Sequence, residues 1–83
     1  MDPRRLKAFL VLAEEKSFHK AAERLYLSQP ALTQRIQALE RELGVRLLER
    51  RPFRLTPAGD LLRREGARLL KELEALKEAV RRA

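Results

Sequence analysis

Apolar residues recur along this chain at intervals of three and four, the period of a helix with one buried side, and the recurrence breaks at residues suited to starting or ending helices. Leu6, Phe9, Leu10 and Ala13 form the first such face. Asp2 before Pro3 reads as an N-cap followed by proline at the first helical position, so a helix is predicted from Pro3 to about Glu15. Ser17 caps the next, Phe18 to about Leu25, with Phe18, Ala21, Ala22 and Leu25 inward; its paired alanines admit close approach of another helix. After Tyr26 and Leu27, Ser28 opens a third helix, Gln29 to Leu43, whose buried stripe is Leu32, Ile36, Leu39 and Leu43 and whose end is marked by Gly44.

With that stripe turned inward, at about 100° per residue, the outward arc of the third helix holds Pro30, Gln34, Gln37, Ala38 and Arg41, flanked by Gln29 and Thr33. A helix face that meets only water normally carries more charge. Beyond Gly44 the pattern shortens. Val45 to Glu49 and Phe53 to Thr56 are partly β-prone segments around Arg50, Arg51 and Pro52, which predicts a small hairpin. Thr56 and Pro57 repeat the cap-and-proline signal and launch a last helix to about Arg82, about 26 residues or roughly 39 Å. Along it Leu62, Gly66, Leu69, Leu73, Leu76 and Val80 make a heptad-like seam, broadened by Leu61 and Leu70. Three short helices shield only the start of such a stripe, so its far end is expected to pair with a second copy of the chain. Gly66 in the seam is expected to let the partner helix approach closely.

Helix, helix, turn, helix, ribbon is the order of an all-α winged helix-turn-helix, here three helices plus a short β-hairpin wing, with residues 1–56 as the domain and residues 57–83 as a linker or dimerisation helix. Charge adds to this picture. The chain has 83 residues, 19 Lys plus Arg against 12 Asp plus Glu, and a net charge of +7. Residues 46–54 concentrate Arg46, Arg50, Arg51 and Arg54 against Glu49 alone, where a wing would meet phosphates. With 17 leucines, most of the 45% hydrophobic fraction is aliphatic, enough for a core in one small domain.

Other classes are disfavoured. Without cysteine there is no disulfide framework and no thiolate chemistry. His19 is the lone histidine, and the three glycines stand apart at 44, 59 and 66, so neither a hydrolytic triad nor a phosphate loop is available; no catalytic residue, metal ligand or cofactor is assigned. The longest apolar run, Ala8 to Ala13, is far short of a membrane span, and the amino terminus lacks the apolar stretch of a secretory signal, so a cytoplasmic location is expected.

The stretch AAERLYLSQPALTQRIQALERELGVRLLER followed by RLTPAG resembles the amino-terminal domain of LysR-type transcriptional regulators. Leu6 to Arg50 fits that pattern without a gap, and Thr56, Pro57 and Gly59 match the start of the family's linker helix. The resemblance implies a sequence-specific binder of double-stranded operator DNA, a homodimer through antiparallel linker helices, and a larger effector-binding domain that these 83 residues do not include. It places base reading on Gln29, Pro30, Thr33 and Gln34, beside Ser28, and the wing arginine role on Arg51 or Arg54.

There are departures. Thr33, Gln34 and Arg35 stand where the family commonly has Ser, Arg, Gln, and the wing is short and contains Pro52, which cannot donate in a ladder. Chemically, Gln34 suits a bidentate contact with adenine and Gln37 lies one turn on; a solubilising glutamine is the alternative. Arg50, Arg51 and Arg54 suit phosphate or minor-groove contacts against the alternative of a solvated basic loop, and His19 with Lys20 suits phosphate. Two rivals remain: a basic helical interaction module, and a nonspecific nucleic-acid-binding protein.

Overall fold

The computed structural model describes residues 1–83, and its elements follow the capping signals closely. Helix α1 spans Pro3–Glu15, α2 Phe18–Leu25, α3 Gln29–Leu43 and α4 Pro57–Arg82, with strands β1, Leu48–Glu49, and β2, Arg54–Leu55, between α3 and α4. Each helix start is satisfied by the expected side chain. Asp2 accepts from the Arg4 N–H at 2.8 Å, Ser17 from Lys20 at 3.2 Å, Ser28 from Ala31 at 3.1 Å and Thr56 from Gly59 at 3.0 Å. Gly44 ends α3 in the left-handed region at φ 71°, and Lys16 and Tyr26 end α1 and α2 the same way at φ 57°.

The core is an aliphatic cluster around Phe9, Leu12, Leu32, Leu39 and Leu47. Helix α1 is its hub, packing against α2, α3 and α4. That position corrects the single inward face expected for α1: Ala8, Val11 and Leu12 are buried as well, while Leu10 is only half-buried. A helix surrounded on three sides buries more than one stripe. In α3, Leu32, Ile36 and Leu39 are buried as expected, but Leu43, in the last turn, lies exposed.

The hairpin is smaller than expected, two residues per strand, with Leu48 opposite Leu55 and Glu49 opposite Arg54. Val45 stays outside the ladder and is exposed. Pro52 falls in the turn, so its missing N–H removes no ladder bond. The base of the hairpin is fastened at both sides. Glu40 of α3 accepts the Leu47 N–H at 2.7 Å, the Thr56 N–H donates to the Leu47 carbonyl at 3.0 Å, and the Thr56 hydroxyl donates to the Arg46 carbonyl at 2.7 Å.

The start of α4 rests on α1. Gly66 is buried against Leu6 and Leu10, and Leu62 packs on the core. The seam residues Gly66 and Leu62 are thus taken up inside the chain, which corrects the expectation that Gly66 receives a partner helix. Past Gly66 the cover thins to the end of α1, with Leu70 half-buried, because α1 has 13 residues and α4 has 26. Leu69, Leu76 and Val80 are exposed, the last two by 60% and 67%, and Leu73 is half-buried. No helix is long and apolar enough to cross a membrane.

Candidate nucleic-acid interface

The amino-terminal half of α3 packs on the core through Leu32 and Ile36 and turns Gln29, Pro30, Gln34 and Gln37 to the surface, with Thr33 half-buried. The expected outward arc is present except at Ala38, which is half-buried. Pro30 lies in the first turn of α3, and the Ser28 hydroxyl oxygen is engaged by the Ala31 N–H. Arg35, displaced one position from the family's usual arginine, is half-buried at the edge of the core.

Neighbouring elements tie down parts of this face. The Gln29 amide nitrogen is 3.3 Å from His19 Nδ1, and His19 Nε2 is 3.4 Å from Glu23. Arg50, where the hairpin turn begins, reaches back across α2: its guanidinium carbon lies 3.9 Å from the centre of the Phe18 ring, and Nη1 donates to Thr33 Oγ1 at 3.5 Å. Phe53, at the other end of the turn, meets Phe18 edge to face with centroids 6.5 Å apart. Gln29, Thr33 and Arg50 are therefore gathered where the start of α2 meets the start of α3. Arg51 is exposed at the tip of the turn. Arg54 is not gathered with them; it borders a groove of about 1000 Å³ between the end of α1, β2 and α4, beside Glu14 and Glu74.

Charge is distributed unevenly in a way net counts hide. On α4, Asp60 pairs with Arg63 at 2.9 Å and Arg64 at 3.2 Å, Glu65 with Arg68 at 2.9 Å, and Glu78 with Arg82 at 3.1 Å. The bonds from Arg63 and Arg64 hold the Asp60 carboxyl below its usual range. Arg24 is held by Glu14 at 2.7 Å and Glu15 at 3.0 Å, which raises its already high pKa. Arg46 sits 3.6 Å from Glu40. Arg50, Arg51 and Arg54 have no carboxylate partner among the ion pairs, and Arg50 brings its uncompensated charge against Thr33 on the flank of the α3 glutamine face. Such a surface suits a polyanion whose information lies in neutral hydrogen-bonding groups.

Sequence reasoning placed Phe18 in the core and missed that its ring carries Arg50. It also missed the contact of His19 with Gln29 and the approach of Gly59 to the Leu47 carbonyl. Pattern reading sees residues on their own elements. These contacts join elements 10 to 32 positions apart. No group of three or more His, Cys, Asp or Glu is placed to hold a metal ion.

Comparison with known proteins agrees with this arrangement. Residues 3–60 match the family described as bacterial regulatory helix-turn-helix protein, lysR family. The chain is 40% identical over 84 residues to the HTH-type transcriptional regulator BenM of Acinetobacter baylyi, covering 99% of this chain and 28% of BenM. It is 49% identical over 81 residues to the SDS degradation transcriptional activation protein of a Pseudomonas species, covering 95% of this chain and 26% of that protein. The chain thus spans under a third of either relative. Among solved structures, the BenM DBD in complex with catB site 1 DNA superposes with a TM-score of 0.92 at 40% identity, over 99% of this chain and 94% of that one. Vibrio fischeri DarR in complex with DNA gives 0.92 at 38% identity, over 96% of this chain and 28% of that one. By sequence and by fold, the chain belongs to the lysR family of bacterial regulatory helix-turn-helix proteins.

Proposed function

We propose that these residues are the DNA-reading part of a transcriptional regulator, binding an operator dyad as a homodimer. The observation that carries the reading is the exposed glutamine face of α3, Gln29 to Gln37, with the unpaired Arg50 against its flank at Thr33. Inserted in a major groove, Gln34 offers the paired donor and acceptor that match adenine N7 and N6, Gln37 extends the contact by one turn, and Gln29, Pro30 and Thr33 line the entry. The Ser28 hydroxyl keeps its proton free to donate to a phosphate while its oxygen caps the helix. Arg50 and Arg51 supply phosphate or wing contacts. Of the two wing arginines, Arg51 is preferred for reach, since Arg54 borders the groove beside α4. The BenM DBD solved on catB site 1 and benA site 1 DNA supports the reading by likeness.

Dimerisation is assigned to residues 57–83, on the uncovered part of the α4 seam: Leu69, Leu73, Leu76 and Val80. Two-fold pairing would set the recognition helices one helical turn apart on the duplex, about 34–36 Å, or a multiple of it. The reading assigns no catalytic step or cofactor to the chain and places it in the cytoplasm, where bacterial DNA lies. Selection of bound sequences from a random duplex pool, with the mass of the complex measured, tests both parts. The expected result is an imperfect dyad bound by two chains; a single bound chain with no enriched sequence would refute it.

A further inference from the structure

We propose that Phe18 is a positioning residue for Arg50, holding its guanidinium in place as a ready-made clamp for one phosphate of the duplex. The proposal rests on the DNA-binding reading above and assigns to Phe18 a role distinct from core packing. Three contacts carry it. The guanidinium carbon of Arg50 stands 3.9 Å from the ring centre, well inside the roughly 6 Å over which a cation is attracted to an aromatic face. Phe53 braces the same ring edge to face at 6.5 Å and 69°, so one aromatic ring is touched by both ends of the turn that Arg50 begins. The third contact is the bond from Arg50 Nη1 to Thr33 Oγ1, at 3.5 Å, which aims the side chain along the exposed flank of α3.

The chemistry of these partners matters. A ring face and a hydroxyl orient a guanidinium without neutralising it, in contrast to Arg24 and Arg63, whose charge is met by carboxylates. Arg50 has five N–H donors and only one is engaged, so the rest stay available in the planar fork that matches a phosphate. An arginine on an unbraced turn would lose most of its rotamer freedom on docking; one already stacked has lost it on folding. The short four-residue turn, 50–53, gains from the Phe18–Phe53 contact the fixed direction that its two-residue strands alone supply weakly.

A double-mutant cycle on DNA affinity tests this, using the selected duplex and a random one across 50 to 200 mM salt. Arg50→Ala is expected to weaken both duplexes about tenfold and to lower the salt slope by about 0.9, as for one lost phosphate. Phe18→Leu is expected to weaken both as well, Phe18→Tyr to restore most of the loss, and the double variant to bind no worse than Arg50→Ala alone. Full additivity of the two losses would overturn the proposal, as would an Arg50→Ala protein with unchanged affinity and slope. In the latter case the DNA reading still stands if Gln34→Ala relaxes base preference; if the parent binds no duplex, it is that reading which fails. Should Phe18→Leu not fold, the side-chain proton resonances of Arg50 in the parent decide: ring-current displacement upfield is expected, and random-coil positions would overturn the stacking.

Discussion

Replacing Gly59 by alanine should damage this domain more than the same change at either other glycine, although Gly59 sits in a helix that alanine ordinarily favours. A Cβ built there lies 1.9 Å from the Leu47 carbonyl oxygen and 2.9 Å from its carbon. Ordinary contact requires the backbone of the first turn of α4 and that of residue 47 to part by about 1.5 Å. The same residues carry the Thr56 N–H to Leu47 bond and the Thr56 cap on the Gly59 N–H, each 3.0 Å, and neither survives such a shift unaltered. Overpacking costs about 1–3 kcal/mol and loss of a cap about 1 kcal/mol, against a gain of up to about 1 kcal/mol from helix propensity, leaving about 1–3 kcal/mol of destabilisation. For a domain of this size each kcal/mol moves the melting midpoint by about 4–8 °C, so a fall of roughly 5–20 °C is expected.

The other glycines supply the scale. At Gly66 the nearest atom is a Leu6 methyl at 2.8 Å, on a side chain that can turn aside, so Gly66→Ala should stay within about 1 kcal/mol of the parent as repacking and helix propensity offset each other. Gly44 has nothing within 4 Å but holds φ 71°, so Gly44→Ala should cost about 1 kcal/mol of backbone strain. Far-UV circular dichroism melting, at one protein concentration because self-association moves the midpoint, ranks the three. A Gly59→Ala protein melting with the parent, or above Gly44→Ala, would refute the close-approach argument.

Gln34→Ala should relax base preference with a modest affinity loss, about 1–3 kcal/mol of discrimination at one base pair, whereas Arg51→Ala should weaken specific and random duplexes alike; equal losses on both duplexes for Gln34→Ala would contradict the assignment. Leu76→Glu with Val80→Glu should convert the proposed dimer to a monomer in sedimentation without loss of helix signal, because both positions are exposed within the chain; a persisting dimer would place the contact elsewhere. The Asp2 carboxyl is held below its ordinary range by the Arg4 N–H it caps, then by the Arg4 side chain. A carboxyl lowered on folding stabilises above its unfolded pKa, about 3.9, and the contribution is lost as pH falls through the folded value. Asp2→Asn keeps a capping oxygen, so its melting midpoint should vary less than the parent's below about pH 4; parallel curves would rule the contribution out.

The boundaries of all four helices were legible because they depend on neighbours in the chain: a capping oxygen three positions from its amide, a proline at the first turn, a glycine that tolerates positive φ at Gly44. Periodicity likewise marked Leu32, Ile36 and Leu39 as core and Gln34 and Gln37 as surface, since helical geometry alone assigns faces once one face is buried. The uncovered end of α4 followed from a comparison of lengths. What periodicity left undecided was how many neighbours each helix has. It read α1 as one-sided, when contact with α2, α3 and α4 buries Ala8, Val11 and Leu12 too, and it carried Leu43 into a core that stops short of it.

The candidate interface divides in the same way. Local order along α3 placed its glutamines on one face, but which arginines remain free depended on carboxylates brought near by folding. Glu14 and Glu15 engage Arg24, Glu40 approaches Arg46, and nothing acidic engages Arg50. Arg50 and Arg54, equivalent by composition, part company because the hairpin turns one toward Phe18 and Thr33 and leaves the other beside α4. Interactions within a few residues set the four helices, their ends and the polar face of α3, whereas the extent of the hairpin strands was not legible in this way. That Gly66 and Leu62 are covered by the chain itself, that Gly59 must lack a side chain and that Phe18 carries Arg50 each depends on a distance between segments, which no short-range rule contains.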